Sequence, residues 1–107
     1  MAEYLMIIES RCKDPERDAE FNVWYDTVHL PDVSSQPGFV KVTRWVEQDT
    51  DNAEKHYVML CELETDDLEA LFKAEEAAIA VLQAQGRLSD LFVPVSRRVF
   101  RQAGVQA

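Results

Sequence analysis

The sequence predicts an α+β domain in the order β-α-β-β-α-β, with four antiparallel strands and two helices on one face of the sheet. Three observations carry this. Four short apolar runs, at residues 4–9, 39–47, 56–63 and 93–100, have the length and the polar or Gly/Pro flanks of strands. Two longer segments, one after the first run and one after the third, repeat apolar residues at helical spacing. At 107 residues the chain has the size of one domain, so a single core spanning 1–107 serves all six elements.

The first run, YLMIIE, is short and rich in isoleucine, which favours a buried strand; a polar break follows at residues 10–14. Asp14-Pro15-Glu16 then sets a helix start: an Asp cap, proline at the first helical position and an acid at the positive end of the dipole. Phe21, Trp24, Tyr25 and Val28 recur at i, i+3, i+4 and i+7, placing an amphipathic helix over about 15–29. Pro31 is expected to end it, because the residue before a proline is biased out of helical geometry.

Pro37-Gly38 is turn punctuation, after which FVKVTRWVE alternates Val40, Val42, Arg44 and Val46 against Phe39, Lys41, Thr43 and Trp45. Residues 48–54 form a solvated turn, and HYVMLCEL pairs with the preceding strand as a hairpin. Thr65-Asp66-Asp67 opens the second helix, with Glu69 three residues beyond Asp66 in capping-box fashion. Leu68, Leu71, Phe72, Ile79 and Leu82 keep its period, and Gly86 closes it. Pro94 near the start of the last run points to an edge strand, and residues 102–107 are expected to fray.

With right-handed crossovers this order is the ferredoxin-like arrangement. Both faces of its central hairpin are apolar, whereas a solvated face would be polar. The expectation is a homodimer in which the sheets cover each other.

Composition excludes several functions. A net charge of −9 with scattered basic residues argues against nucleic acid and acidic membranes as partners. The one basic cluster, Arg97, Arg98 and Arg101, balances nearby carboxylates. No apolar run approaches the roughly 18 residues of a membrane span, and the N-terminus lacks the features of a signal peptide. Cys12 and Cys61 have no metal-like spacing, and a reduced, cytoplasmic protein is expected. Three glycines provide no phosphate loop, so no nucleotide cofactor is expected, and no cofactor of another kind is called for.

Residues 21–39 gather one of the two histidines and two of the four prolines. Trp24-Tyr25, His29-Leu30-Pro31 and Pro37-Gly38-Phe39 in that order, together with the element order and length, resemble the dimeric α/β-barrel superfamily, and within it EthD-like proteins. The resemblance implies a homodimer with an eight-stranded barrel at its interface and a pocket between sheet and helices in each subunit. It implies one of several reactions, among them cyclisation, isomerisation, dehydration and cofactor-independent oxygenation. The family histidine that closes the first helix corresponds to His29.

His29 and Tyr25 lie four residues apart on one helix face. Imidazole can move a proton in either direction near neutral pH, and a tyrosine hydroxyl can orient an oxygen or protonate an enolate. Burial of His29 would favour its neutral form and a helix C-terminus its protonated form; alternatively the ring only caps that helix. Trp24, Phe39, Trp45, Tyr57 and Phe72 are candidates to line a pocket for a flat apolar metabolite, and the same spacings also suit plain core. Arg44 can pair a substrate carboxylate or an acid of the partner subunit. His56 reads as a solvated strand end, and Asp26, His29 and Asp32 lack the fourth member of a metal site. The expected protein is a small proton-transfer isomerase, cyclase or dehydratase acting through His29. The alternatives are a monooxygenase, with or without haem on His29 or His56, and a non-catalytic ligand carrier.

Overall fold

In the computed structural model, which describes residues 2–48 and 55–107, the chain forms four strands: β1 (Ala2–Cys12), β2 (Phe39–Val46), β3 (His56–Thr65) and β4 (Phe92–Arg101). They make one antiparallel sheet in the order β2-β3-β1-β4, the ferredoxin-like topology, with β4 on an edge as Pro94 requires. The turn expected at 48–54 falls largely on residues 49–54, which lie outside the described residues. β1 runs through the predicted polar break to Cys12, because Ser10 and Arg11 pair with β3 and β4 on both sides. No helix of the described residues is long and apolar enough to cross a membrane.

The first helical segment departs most from expectation. Asp14 caps a single 3-10 turn (Pro15–Arg17) by accepting from the Glu16 N–H at 3.1 Å. The chain then continues as α1 (Asp18–Trp24), a π turn (Tyr25–His29) and α2 (Leu30–Ser34). Pro31 therefore sits inside the helix rather than ending it, and Leu30 is fully helical at φ −59, ψ −48. In an α-helix the proline ring collides with the carbonyl four residues back, at a cost of about 3 kcal/mol. The π turn, in which the Leu30 N–H reaches the Tyr25 carbonyl five residues back, widens the coil just ahead of that ring.

The second long helix, α3 (Leu68–Ala84), is capped by Asp67, whose carboxylate accepts from the Ala70 N–H at 3.0 Å. Asp66 is not the cap, so the expected Asp66–Glu69 box does not form; Thr65 Oγ1 instead receives the Asp67 N–H. Between helices and sheet lie Met6, Phe21, Tyr25, Met59, Cys61 and Leu63. Cys12 and Cys61 are free and buried; burial pushes the Cys61 thiol up to about 12, with the Glu75 charge adding to it. Cys61 thus packs as a small hydrophobe.

A bulge between Phe39 and Lys41 changes the phase of β2. Phe39 joins Val42 and Arg44 on the helix side, away from Trp45 with which simple alternation grouped it, and Val40 is left 59% exposed. Ahead of the bulge, Gly38 adopts φ +84 and lets the chain pass against α3: a Cβ there would meet Leu71 Cδ1 at 2.5 Å and the Glu64 carbonyl at 3.3 Å. Gly86 shares the left-handed backbone, φ +71, with nothing within 4 Å. Gly86→Ala is expected to lose about 1 kcal/mol, the backbone cost alone. Gly38→Ala is expected to lose about 2–3 kcal/mol because overpacking adds to it. Equal shifts in denaturant midpoint for the two variants would refute this account of the Gly38 crossing.

Candidate functional site

A cavity of about 430 Å³ lies between the sheet and the helices, walled by Trp24 and His29 from the first helix, Met59 from β3, Ile79 from α3 and Phe92 from β4. The π turn places His29 there. Had the helix ended at His29, the ring would face its terminal carbonyls; with α2 continuing to Ser34, it stands in the middle of a helix and turns toward the sheet side. Its ring stacks on Trp24 (centroids 4.8 Å apart, planes 18° apart), meets the edge of Tyr25 at 5.1 Å and lies 5.6 Å from Phe92.

These aromatic walls decide the charge of the imidazole. Burial pulls the His29 pKa down to about 4; the Asp32 carboxylate opposes this and the Arg44 charge adds to it. Of the two effects weighed from sequence, burial wins, and the helix-end effect is absent because the helix does not end there. At neutral pH His29 is a neutral base. Its Nδ1 is buried with no hydrogen-bond partner, as is Oε1 of Gln36, and both residues line the cavity.

The aromatic candidates other than Phe72 fall into three groups. Trp24 is half-buried against His29 in the cavity wall, its indole N–H donating to the Arg87 carbonyl at 2.8 Å. Tyr25, Phe39 and Tyr57 are core: the Tyr25 hydroxyl donates to Met59 Sδ at 3.5 Å, and burial raises its pKa to about 12, with Arg44 opposing. The Tyr57 hydroxyl donates to the Asp18 carboxylate at 2.7 Å and accepts from the Asn22 amide at 3.0 Å. Trp45 stands on the opposite face of the sheet, 57% exposed, where it cannot meet a ligand beside His29.

Arg44 lies under the first helix, its guanidinium 4.1 Å above the Tyr25 ring and donating to Asp26 and Asn22, both at 2.6 Å. It fastens the start of the π turn to β2 instead of facing the cavity. Asp32 receives two bonds from Arg87, at 2.7 and 3.1 Å, tying α2 to the loop after α3 at the cavity rim. With Asp26 and Asp32 held by arginines, neither is gathered with His29 as a metal-ligand set. His56 begins β3 beside Glu9, 3.6 Å away, remote from the cavity. Phe72 lies against the Arg97 guanidinium at 4.9 Å.

Sequence reasoning missed Gln36 and Glu75. Glu75 is 7% exposed, lines the cavity and accepts from Arg97 at 2.6 Å. A signal for it existed: the apolar series 68, 71, 72, 79, 82 leaves position 75 as the missing step of the stripe, and an acid occupies it.

The depressed His29 pKa sets a pH dependence of folding. Below the unfolded value of 6.5 the unfolded chain takes up a proton that the folded chain refuses, so stability falls as pH drops from about 6.5 toward 4 and is unaffected by His29 above that window. The loss approaches about 3 kcal/mol. His29→Leu, which cannot titrate, is expected to flatten the stability–pH curve by that amount between pH 6.5 and 4. Chemical denaturation across the window measures it; parallel curves for variant and parent would sink the assignment.

No family model matches the chain, and no curated protein matches it in sequence. Solved structures do match in fold. HapK from Hahella chejuensis superposes with a TM-score of 0.69 at 20% identity, covering 97% of this chain and 96% of its own. SnoaB from Streptomyces nogalater, a cofactor-independent oxygenase, gives 0.64 at 21% identity over 98% and 97%. A dimeric ferredoxin-like protein from an uncultured marine organism gives 0.60 at 11% identity over 99% and 100%. At these identities the likeness establishes the ferredoxin-like fold over the whole chain.

Proposed function

We propose that the protein is a small enzyme that takes a proton from a hydrophobic cyclic or aromatic metabolite, with His29 as the base. One observation carries this: a neutral imidazole with an unpartnered buried nitrogen stands among aromatic rings in a cavity large enough for a small ligand. His29 accepts a C–H or O–H proton and leaves an enolate or phenolate; returning that proton to another atom completes an isomerisation, and losing a leaving group completes an elimination. The surrounding apolar walls exclude water that would otherwise compete for the proton. Trp24, stacked on one face of the imidazole, and Phe92 wall the space into which the ligand's ring system fits, and Tyr25 supports His29 from behind. The run of Trp24-Tyr25, His29-Leu30-Pro31 and Pro37-Gly38-Phe39, which we read as resembling EthD-like proteins although no family model matches the chain, supports this reading.

A monooxygenase is the second reading, favoured by the fold shared with SnoaB, a cofactor-independent oxygenase. The first step is common to both: the anion made by His29 is electron-rich enough to react with oxygen. Oxygen uptake matched to substrate consumption distinguishes the two. In either case His29→Ala is expected to lower kcat by about 10²–10⁴-fold, the range of one general base. A variant that kept full turnover on a substrate found by metabolite screening would overturn both readings. Buried free thiols suit the reducing cytoplasm.

The helix-free sheet face is the proposed homodimer surface. It carries a groove of about 510 Å³ lined in part by Leu5, Lys41, Trp45, Leu60 and Phe100, and Trp45 and Phe100 are exposed large apolar groups. The dimeric state named for the marine ferredoxin-like protein supports this assignment. Sedimentation at micromolar concentration is expected to show a dimer that Leu60→Glu converts to a folded monomer. A monomeric parent would refute it.

A further inference from the structure

Glu75 and Arg97 are the only formally charged residues among the described residues lining the His29 cavity. They meet directly, Arg97 Nη2 donating to Glu75 Oε1 at 2.6 Å. Glu75 is, with Leu71, one of the two buried residues of α3, on the apolar stripe that continues to Ile79 and Leu82 at the cavity. Arg97 lies on Phe72 at the more open end, its side chain 42% exposed against 8% for Glu75. The carboxylate is thus the deeper partner and the guanidinium the outer one. A buried ion pair in an apolar stripe contributes little to stability, since apolar residues of similar size commonly replace such pairs without loss. Its position in the cavity gives it another use.

We infer that the Glu75–Arg97 pair is a specificity device that admits neutral ligands bearing a hydrogen-bond donor and rejects anionic ones. The inference rests on the cavity being the ligand site. An anion entering from the His29 side meets a guanidinium whose charge is already balanced by a fixed carboxylate beside it, so it gains far less than at a lone arginine. A neutral ligand instead finds two acceptors in the lining, Glu75 from α3 and Gln36 Oε1 from the segment after α2. A hydroxyl or N–H satisfies one of these without disturbing the ion pair. This also protects the chemistry: the neutral state of His29 requires that no anion lie against the ring, since an anion would draw a proton onto it.

Two fluorescent probes with one skeleton separate the cases: neutral N-phenyl-1-naphthylamine, and 8-anilinonaphthalene-1-sulfonate, which adds one negative charge. Trp45→Phe leaves Trp24, in the cavity wall, as the sole tryptophan; because the molecule is thin enough for both sheet faces to lie within transfer range, binding at the cavity is read as the part of the transfer lost when Ile79→Phe fills the cavity. In this background the neutral probe is expected to bind more tightly by about tenfold or more. Adding Glu75→Gln frees Arg97 and is expected to raise sulfonate affinity about tenfold while the neutral probe changes little. Arg97→Met, which removes the cation and keeps the carboxylate, is expected to weaken the sulfonate probe further, and it carries the test if Glu75→Gln does not fold. Equal affinity of both probes for the parent, an unchanged ratio in Glu75→Gln, or unchanged sulfonate binding in Arg97→Met would each overturn the inference while leaving His29 as base intact. Absence of transfer to either probe would overturn the ligand-site reading along with it.

Discussion

The first helix must carry a proline through its interior, and the rest of the site follows from how it does so. The π turn at Tyr25–His29 absorbs the steric demand of Pro31 and allows α2 to continue for another turn over the sheet. Thr27 contributes by returning its hydroxyl to the Val23 carbonyl at 2.6 Å, a bond that bends helices. Arg44 holds the near end of this turn through Asn22 and Asp26, and Arg87 holds the far end through Asp32. Between those two fixed points His29 has little freedom. Its ring is clamped by Trp24 and Tyr25 from its own helix and Phe92 from β4. The geometry of the His29 ring is here set by a helix irregularity, with ion pairs on both flanks keeping it in place.

The sheet divides the chain's aromatic residues between two tasks. On the helix side Phe21, Tyr25, Tyr57 and Trp24 pack against one another at centroid distances between 5.5 and 5.9 Å, making the rigid floor behind His29. On the other side Trp45 and Phe100 face outward from opposite edges of the sheet and flank a shallow groove. The bulge in β2 enforces this division, because it moves Phe39 into the core while leaving Trp45 outside. A pocket drawn from aromatic composition alone merges the two sets; the sheet between them keeps them apart.

The fold was legible because each element announced itself locally. Isoleucine- and valine-rich runs, Asp-Pro at one helix start and glycine at one helix end all describe structure within a few residues. What escaped was decided by long-range or irregular geometry. Pro31 predicts a stop from local sterics, and only the π turn, invisible to a 3.6-residue period, reverses that. Likewise the phase of β2 depends on one bulge. Within the site, His29 stood out as one of two histidines next to aromatics, and Trp24 came with it. Glu75 did not, since an acid on a helix ordinarily reads as solvent-facing and its burial depends on Arg97, twenty-two residues further on in another element. Gln36 sits in a polar loop segment whose approach to the cavity no spacing rule discloses.

A neutral imidazole and a paired carboxylate in one small cavity impose opposite electrostatic conditions, and the arrangement reconciles them. An unpaired Glu75 would favour protonation of His29; an unpaired Arg97 would lower the imidazole's proton affinity further but attract anions into the apolar space. Paired at 2.6 Å the two charges largely cancel at distance, leaving burial as the leading influence on His29. Asp32, the one acid that raises the imidazole's proton affinity, is in turn neutralised by Arg87. Glu75 and Asp32 thus each have their own guanidinium, and burial among the aromatic rings is left to keep the imidazole neutral.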